Sequence, residues 1–208
     1  MFKKKFFFIV FEGVEGTGKS YQINKLYNKL KKKKIDVIKT REPGGSSTAE
    51  QIRNVIFSKK SIEFDKLTDF YLMNAARNEH YKKTLCPAKN KKKIVISDRF
   101  VDSTYAYQVV GKKIDKKINS INQKYILKNF KPNLTIVLKA NFNTIFSRIK
   151  KRKNNNKFDK LKTNFYKKAQ NTFLSIAKKN KNYLVFDSSK NTKELEKKIY
   201  NVILNYLK

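Results

Sequence analysis

Gly13-Val14-Glu15-Gly16-Thr17-Gly18-Lys19-Ser20 is the stretch that decides the fold. It matches G-x-x-x-x-G-K-[ST] and has the surroundings that motif requires, an apolar run before it and a helical pattern after it. Glycines let the backbone curl so that successive N–H groups converge on phosphate oxygens, and the following helix aims its positive end at the same point. Gly13 to Ser20 therefore read as an ATP-binding P-loop. Lys19 is expected to reach the β- and γ-phosphates and the Ser20 hydroxyl to bind Mg²⁺. A second apolar run, Ile94-Val95-Ile96, ends in Ser97-Asp98-Arg99. In a P-loop fold this strand can lie beside the first, which brings Asp98 near the Mg²⁺ and Arg99 near the transferred phosphoryl group.

Outward from these two stretches, short β-branched or aromatic runs alternate with longer segments of helical period, the pattern of an α/β fold with a parallel sheet. Strands are predicted at Phe6–Glu12, Asp36–Thr40, Lys93–Ser97, Leu134–Lys139 and Tyr183–Phe186. Helices are predicted at Lys19–Lys33, Thr48–Ser58, Lys66–Leu85, Ser103–Val109, Lys116–Asn129, Asn143–Lys151, Lys162–Lys179 and Thr192–Leu207. In the last, Leu195, Ile199, Val202, Ile203 and Leu207 form one apolar face and Thr192 is the expected N-cap. The reading is a three-layer α/β P-loop NTPase fold, a five-stranded parallel sheet flanked by helices, in a single domain over residues 1–208. The polar stretch KKRKNNNKFDK (150–160) has no apolar period and reads as an exposed loop. A basic lid is expected at about 147–160, since phosphotransferases hold two anionic substrates together and exclude water.

The chain has 208 residues, enough to bury a core, with fifty Lys and Arg against sixteen Asp and Glu. A net charge of +34 by itself suggests a polyanionic partner. The make-up of that charge says otherwise: 44 of the basic residues are Lys and only six are Arg, beside 22 Asn, 19 Ile, 8 Ala and 6 Gly. Residues with A/T-rich codons are in excess and those with G/C-rich codons are scarce. Mutational pressure on base composition accounts for the lysines, and the surviving Gly, Pro and Arg mark positions where no other side chain serves. Nucleic acid is expected to bind only nonspecifically, through surface lysines. One cysteine, Cys86, excludes an internal disulfide, fits a reducing cytoplasm and is expected as a buried small hydrophobe. The apolar run near the N-terminus is too short for a leader, and no stretch approaches the length of a membrane span. His80, the only histidine, is expected at the surface or a pocket rim without a catalytic role.

The chain resembles the thymidylate kinase family nearly end to end. The resemblance is carried by FEGVEGTGKS (11–20), TREPGG (40–45), AEQIR (49–53), LMNAAR (72–77), SDR (97–99), DSTYAYQ (102–108), KPNLTIVL (131–138) and SRIKKR (147–152). All six glycines and all six arginines lie in or beside these blocks. The resemblance implies transfer of the γ-phosphoryl of Mg·ATP to dTMP, giving dTDP on the route to dTTP, by a cytoplasmic homodimer. Glu15 would contact the deoxyribose 3′-hydroxyl, and Arg99 would clamp the dTMP phosphate against the ATP γ-phosphate. Arg53, Arg77, Thr104 and Gln108 would meet the thymine, with Pro43 and Met73 lining its pocket and Tyr107 under the sugar. Glu42 would help position Mg²⁺ waters. Gly16 stands where one class of the family has an arginine. This implies the class whose arginine comes from the lid, with Arg148 and Arg152 as donors and Arg152 preferred. Three features depart from the family: Met73 replaces the usual phenylalanine, the lid ends in Asp159-Lys160 rather than Asp-Arg, and the glycines after Gln108 are reduced to Gly111. The alternatives are a deoxynucleoside kinase, which needs a carboxylate base, and a nucleic-acid-binding ATPase, favoured only by the charge.

Overall fold

Six consecutive buried residues make β1 (Phe7–Glu12) the centre of the sheet. A strand covered on both faces needs no polar alternation, so FFIVF runs apolar up to the terminal glutamate. The computed structural model describes residues 5–58, 64–151, 162–190 and 192–207. With β2 (Val37–Arg41), β3 (Ile94–Asp98), β4 (Leu134–Lys139) and β5 (Tyr183–Asp187), β1 forms the expected parallel sheet, in the order β2-β3-β1-β4-β5. The register pairs Phe11 with Asp98, so the end of β3 comes level with the start of the P-loop.

Period-two alternation divides β1 between two cores. Phe7, Ile9 and Phe11 pack with Ile23, Leu26 and Leu30 of α1 (Lys19–Lys32) and with Leu195, Ile199, Ile203 and Leu207 of α9 (Thr192–Leu207). Phe8 and Val10 face the opposite way, onto Leu85, Ala88, Phe100, Leu127 and Phe130. A third cluster joins Val14 and Val137 to α7 (Phe142–Lys150) and α8 (Thr163–Lys178) through Ile145, Ile149, Tyr166 and Phe173. Each large apolar side chain buried in this way contributes about 1.5–3 kcal/mol, and the three layers follow from the pattern.

The helices correct the sequence reading at several ends. Helix α2 (Ser47–Ile56) is capped by Ser46, whose hydroxyl accepts from the Ala49 N–H at 3.2 Å. The segment expected as one helix over Lys66–Leu85 is α3 (Lys66–His80) running through a wide π-helical turn, Tyr81–Leu85, into α4 (Cys86–Asn90). Pro87 has no N–H to donate four residues back, and the wide turn accommodates it. Likewise α5 (Val101–Thr104) opens into π-helical turns over Tyr105–Gly111 before α6 (Lys116–Leu127). Thr192, expected as an N-cap, is the first residue of α9, and Cys86 is only half-buried. No helix among the described residues is long and apolar enough to cross a membrane. Arg152, Asp159, Lys160 and most of the expected lid lie outside the described residues.

Candidate active site

The P-loop leaves β1 and turns into α1 through Gly18, whose φ of 85° is one an L side chain rarely adopts. It is braced from three sides. The Thr17 hydroxyl donates to Val14 O (2.7 Å), the Ser188 hydroxyl to Thr17 O (2.7 Å), and Arg148 on α7 to Gly16 O (3.2 Å) and Ser188 O (2.8 Å). A Cβ on Gly16 would meet the Ile145 carbonyl oxygen at 2.7 Å. The Gly16 position is thus closed to a side chain by α7. Arg148, expected as a lid donor, spends its guanidinium on backbone carbonyls of the loop.

Lys19 is buried, and its ammonium donates to Gly13 O (2.8 Å) and Val14 O (2.9 Å), with a third N–H to spare. Burial, with the nearby Arg99 charge, pushes the Lys19 ammonium down to about 8. The next residue, Ser20, donates to Asp98 Oδ2 at 2.9 Å. Asp98 Oδ1 is shielded from solvent and has no hydrogen-bond partner among the described residues. A hydroxyl beside an unsatisfied carboxylate oxygen is a hard-oxygen donor set that fits Mg²⁺. Among the described residues no group of three or more acidic, His or Cys side chains could hold a metal alone, so the phosphates would supply the remaining ligands. Glu42 does not belong to that set. It is buried, with Oε2 on Arg77 Nε (2.8 Å) and Oε1 on His80 Nδ1 (2.9 Å), so both oxygens face away from metal duty.

A cleft of about 220 Å³ opens beside the loop. Every residue expected to contact dTMP lines it: Glu15, Pro43, Arg53, Met73, Arg77, Arg99, Thr104, Tyr107 and Gln108, together with Lys19, Ser20 and Asp98. Glu15 accepts from Arg99 Nη2 at 2.7 Å through Oε1 and from the Tyr107 hydroxyl through Oε2. Burial works to raise the Glu15 carboxyl, but the Arg99 and Lys19 charges prevail and hold it below the usual carboxylate value. The guanidinium of Arg99 lies over the Tyr107 ring, 5.1 Å from its centroid. Arg77, wholly enclosed, donates to Glu42, to Thr104 Oγ1 (2.9 Å) and to Phe100 O (3.2 Å). Burial opposes ionisation of Glu42, yet the Arg77 charge and the His80 hydrogen bond hold its carboxyl below the ordinary value. Arg53 donates to Pro43 O at 2.7 Å and stacks on Phe57, and burial with the Arg41 charge lowers it to about 10. Gln108 is buried, its amide directed at Asp69.

Four lining residues were missed: Arg41, Phe57, Phe100 and Ser103. Arg41, Phe100 and Ser103 sit inside or beside the quoted blocks, and Phe57 falls four residues after Arg53, so spacing alone could have found them. His80 is placed differently from expectation. It is fully buried, its Nε2 sharing a hydrogen bond of 2.7 Å with Thr40 Oγ1 and its Nδ1 donating to Glu42. The single histidine thus fixes Glu42 from behind, and Glu42 fixes Arg77.

Comparison with known proteins agrees with this geometry. The thymidylate kinase family profile matches residues 11–199. A thymidylate kinase of Mycoplasma capricolum is 38% identical over 204 residues, covering 97% of this chain and 96% of its own length. One from Ehrlichia ruminantium is 40% identical over 195 residues, covering 90% of this chain and 93% of its own. The crystal structure of thymidylate kinase from Ehrlichia chaffeensis superposes with a TM-score of 0.76 at 29% identity, covering 96% of this chain and 99% of that one. The match runs along nearly the whole length of this chain and of these relatives, and the chain belongs to the thymidylate kinase family.

Proposed function

We propose that this protein transfers the γ-phosphoryl group of ATP to dTMP, giving dTDP and ADP, on the route to dTTP for DNA synthesis. The observation that carries the reading is the single cleft, in which the P-loop lysine and serine meet all the expected dTMP residues. The P-loop N–H groups and Lys19 hold the ATP phosphates, and Arg99 bridges the two nucleotides' phosphates. Little covalent chemistry falls to the protein in such a transfer, and catalysis is positioning plus charge neutralisation. Mg²⁺, held by Ser20 and Asp98 with phosphate oxygens, would offset phosphate charge. Glu15 and Tyr107 hold the deoxyribose. Arg77, Arg53, Thr104 and Gln108 address the thymine between Pro43 and Met73. Arg152 serves the lid side of the transferring group and Arg148 braces the P-loop, in a chain that acts as one cytoplasmic domain.

A homodimer suits the surface. On α2, α3 and α6, Val55, Leu67, Tyr71, Ile121 and Tyr125 are exposed, Tyr125 to 87%, and α3 packs against both other helices. Ile121→Asp is expected to yield monomers in sedimentation velocity. The deoxynucleoside kinase reading is disfavoured because both candidate bases, Glu15 and Glu42, have both oxygens occupied by hydrogen bonds, one of them from an arginine, and their carboxyls held low. The deciding assay is coupled ADP release with dTMP, dUMP, dCMP, dGMP, AMP and thymidine. A clear preference for dTMP is expected; preference for thymidine, or no turnover of dTMP, overturns the proposal.

A further inference from the structure

Glu12 is fully buried at the end of β1, and the transfer described above gives it no part. Strand alternation puts it on the side of Phe8 and Val10, beneath α5. Its carboxylate is fully occupied. Oε1 accepts from Phe100 N (2.8 Å) and Ser103 N (3.2 Å), and Oε2 is bonded to Ser103 Oγ at 2.6 Å. The same Ser103 oxygen accepts from Arg99 Nη1 at 2.9 Å. On the backbone, Arg99 sits at a φ of 72° and donates its N–H to Phe11 O, the residue before Glu12, at 2.9 Å.

Each terminal nitrogen of Arg99 therefore has its own tether. Nη2 is held from the nucleotide side by Glu15, and Nη1 from below by Ser103. A flexible arginine with one tether could swing about it; two fix the plane of the guanidinium. We propose that Glu12 is a positioning residue for the phosphate clamp, setting through Ser103 the plane and reach of the Arg99 guanidinium. This rests on the role given to Arg99 above. The bridge does not depend on the charge of Glu12. Burial and the Asp102 charge push its carboxyl up to about 8; the ionised carboxylate accepts the Ser103 hydroxyl proton, whereas the neutral acid donates its added proton to Ser103 Oγ and the hydroxyl's own proton turns away. A hydroxyl has two lone pairs, so Ser103 can receive Arg99 in either state.

The test is a cycle of Glu12→Asp and Ser103→Ala, with Arg99→Lys as reference. Glu12→Asp withdraws the carboxylate by one methylene, and misplacement by about 1 Å can cost about 10²-fold in rate. We expect kcat to fall about 10- to 100-fold in Glu12→Asp and about tenfold in Ser103→Ala, with KM for ATP within about twofold. The double variant should lose no more than the larger single loss, because both break one chain. Losses that multiply in the double variant, or a Ser103→Ala enzyme with wild-type kcat, overturn the proposal. Should Glu12→Asp fail to fold, a wild-type kcat in Ser103→Ala still overturns the proposal. Wild-type turnover by Arg99→Lys would instead refute the clamp itself, whatever the Glu12 variants do.

Discussion

Glu42→Gln isolates the charge in the buried ion pair that lines the cleft proposed to take thymine. In the wild type both Glu42 oxygens accept, one from Arg77 Nε and one from His80 Nδ1. A glutamine has one accepting oxygen, so its amide would confront one of those donors. His80 can resolve the conflict by moving its proton to Nε2, donating to Thr40 and accepting from the new amide. Hydrogen bonds survive the substitution and only the negative charge is lost, beneath a guanidinium that is 3% exposed. Removing one partner of a buried pair costs about 3–5 kcal/mol, and the preserved hydrogen bonds place this variant at the lower end, about 3 kcal/mol. For a chain of this size each kcal/mol moves Tm by about 2–4 °C, so a drop of about 6–12 °C is expected. The pH dependence has a definite sign. The folded Glu42 carboxyl lies below its ordinary 4.5, so its contribution is complete above that value and disappears as the pH falls through the folded value. The difference between wild type and variant should be constant from about pH 5 to 8 and should shrink in acid. Urea denaturation of the nucleotide-free enzyme at several pH values measures it, and initial rates should show a raised KM for dTMP with that for ATP unchanged. A difference under about 1 kcal/mol at pH 7, or one that persists unchanged at pH 3, would refute the assignment.

Met73→Phe puts an aromatic face in the cleft proposed to take thymine. Stacking is worth about 0.5–1.5 kcal/mol, so KM for dTMP should fall about 2- to 12-fold with KM for ATP unmoved; no change would mean that Met73 does not cover the base. Arg148→Ala removes two braces on the P-loop and β5 loop, so Tm should fall together with ATP affinity, by about 1–3 kcal/mol in stability. A loss of kcat at unchanged Tm would return Arg148 to a purely catalytic role. Asp98→Asn should raise the Mg²⁺ concentration needed for half-maximal rate by about 10–100-fold, read from metal titrations at saturating ATP.

Arginine usage is where the sequence was most informative, and the polar partners of those arginines are where it fell short. In a chain with 44 lysines, six arginines had to be placed by need. Each of the five described holds a carboxylate or a backbone carbonyl: Arg41 on Glu50, Arg53 on Pro43 O, Arg77 on Glu42 and Phe100 O, Arg99 on Glu15, Arg148 on Gly16 O and Ser188 O. Composition could therefore locate the pocket, because a planar fork with fixed donors has no substitute among the lysines. It could not say what stands behind each fork. Glu12 ended an apolar strand and read as its border, Glu42 lay beside a proline and read as a metal partner, and His80 followed Arg77 by three residues and read as a rim. All three are buried acceptors or donors whose partners lie at least 35 residues away, as with Glu42 and Arg77. Such contacts arise only when β1, β2, α3 and α5 are brought together, and periodicity within one element carries no record of them. The residues that line the cleft were legible because they come as local blocks. The groups that aim them belong to the packing, and substitutions at Glu12, Glu42 and His80 should therefore disturb aim before they disturb fold, provided each hydrogen bond is replaced in kind.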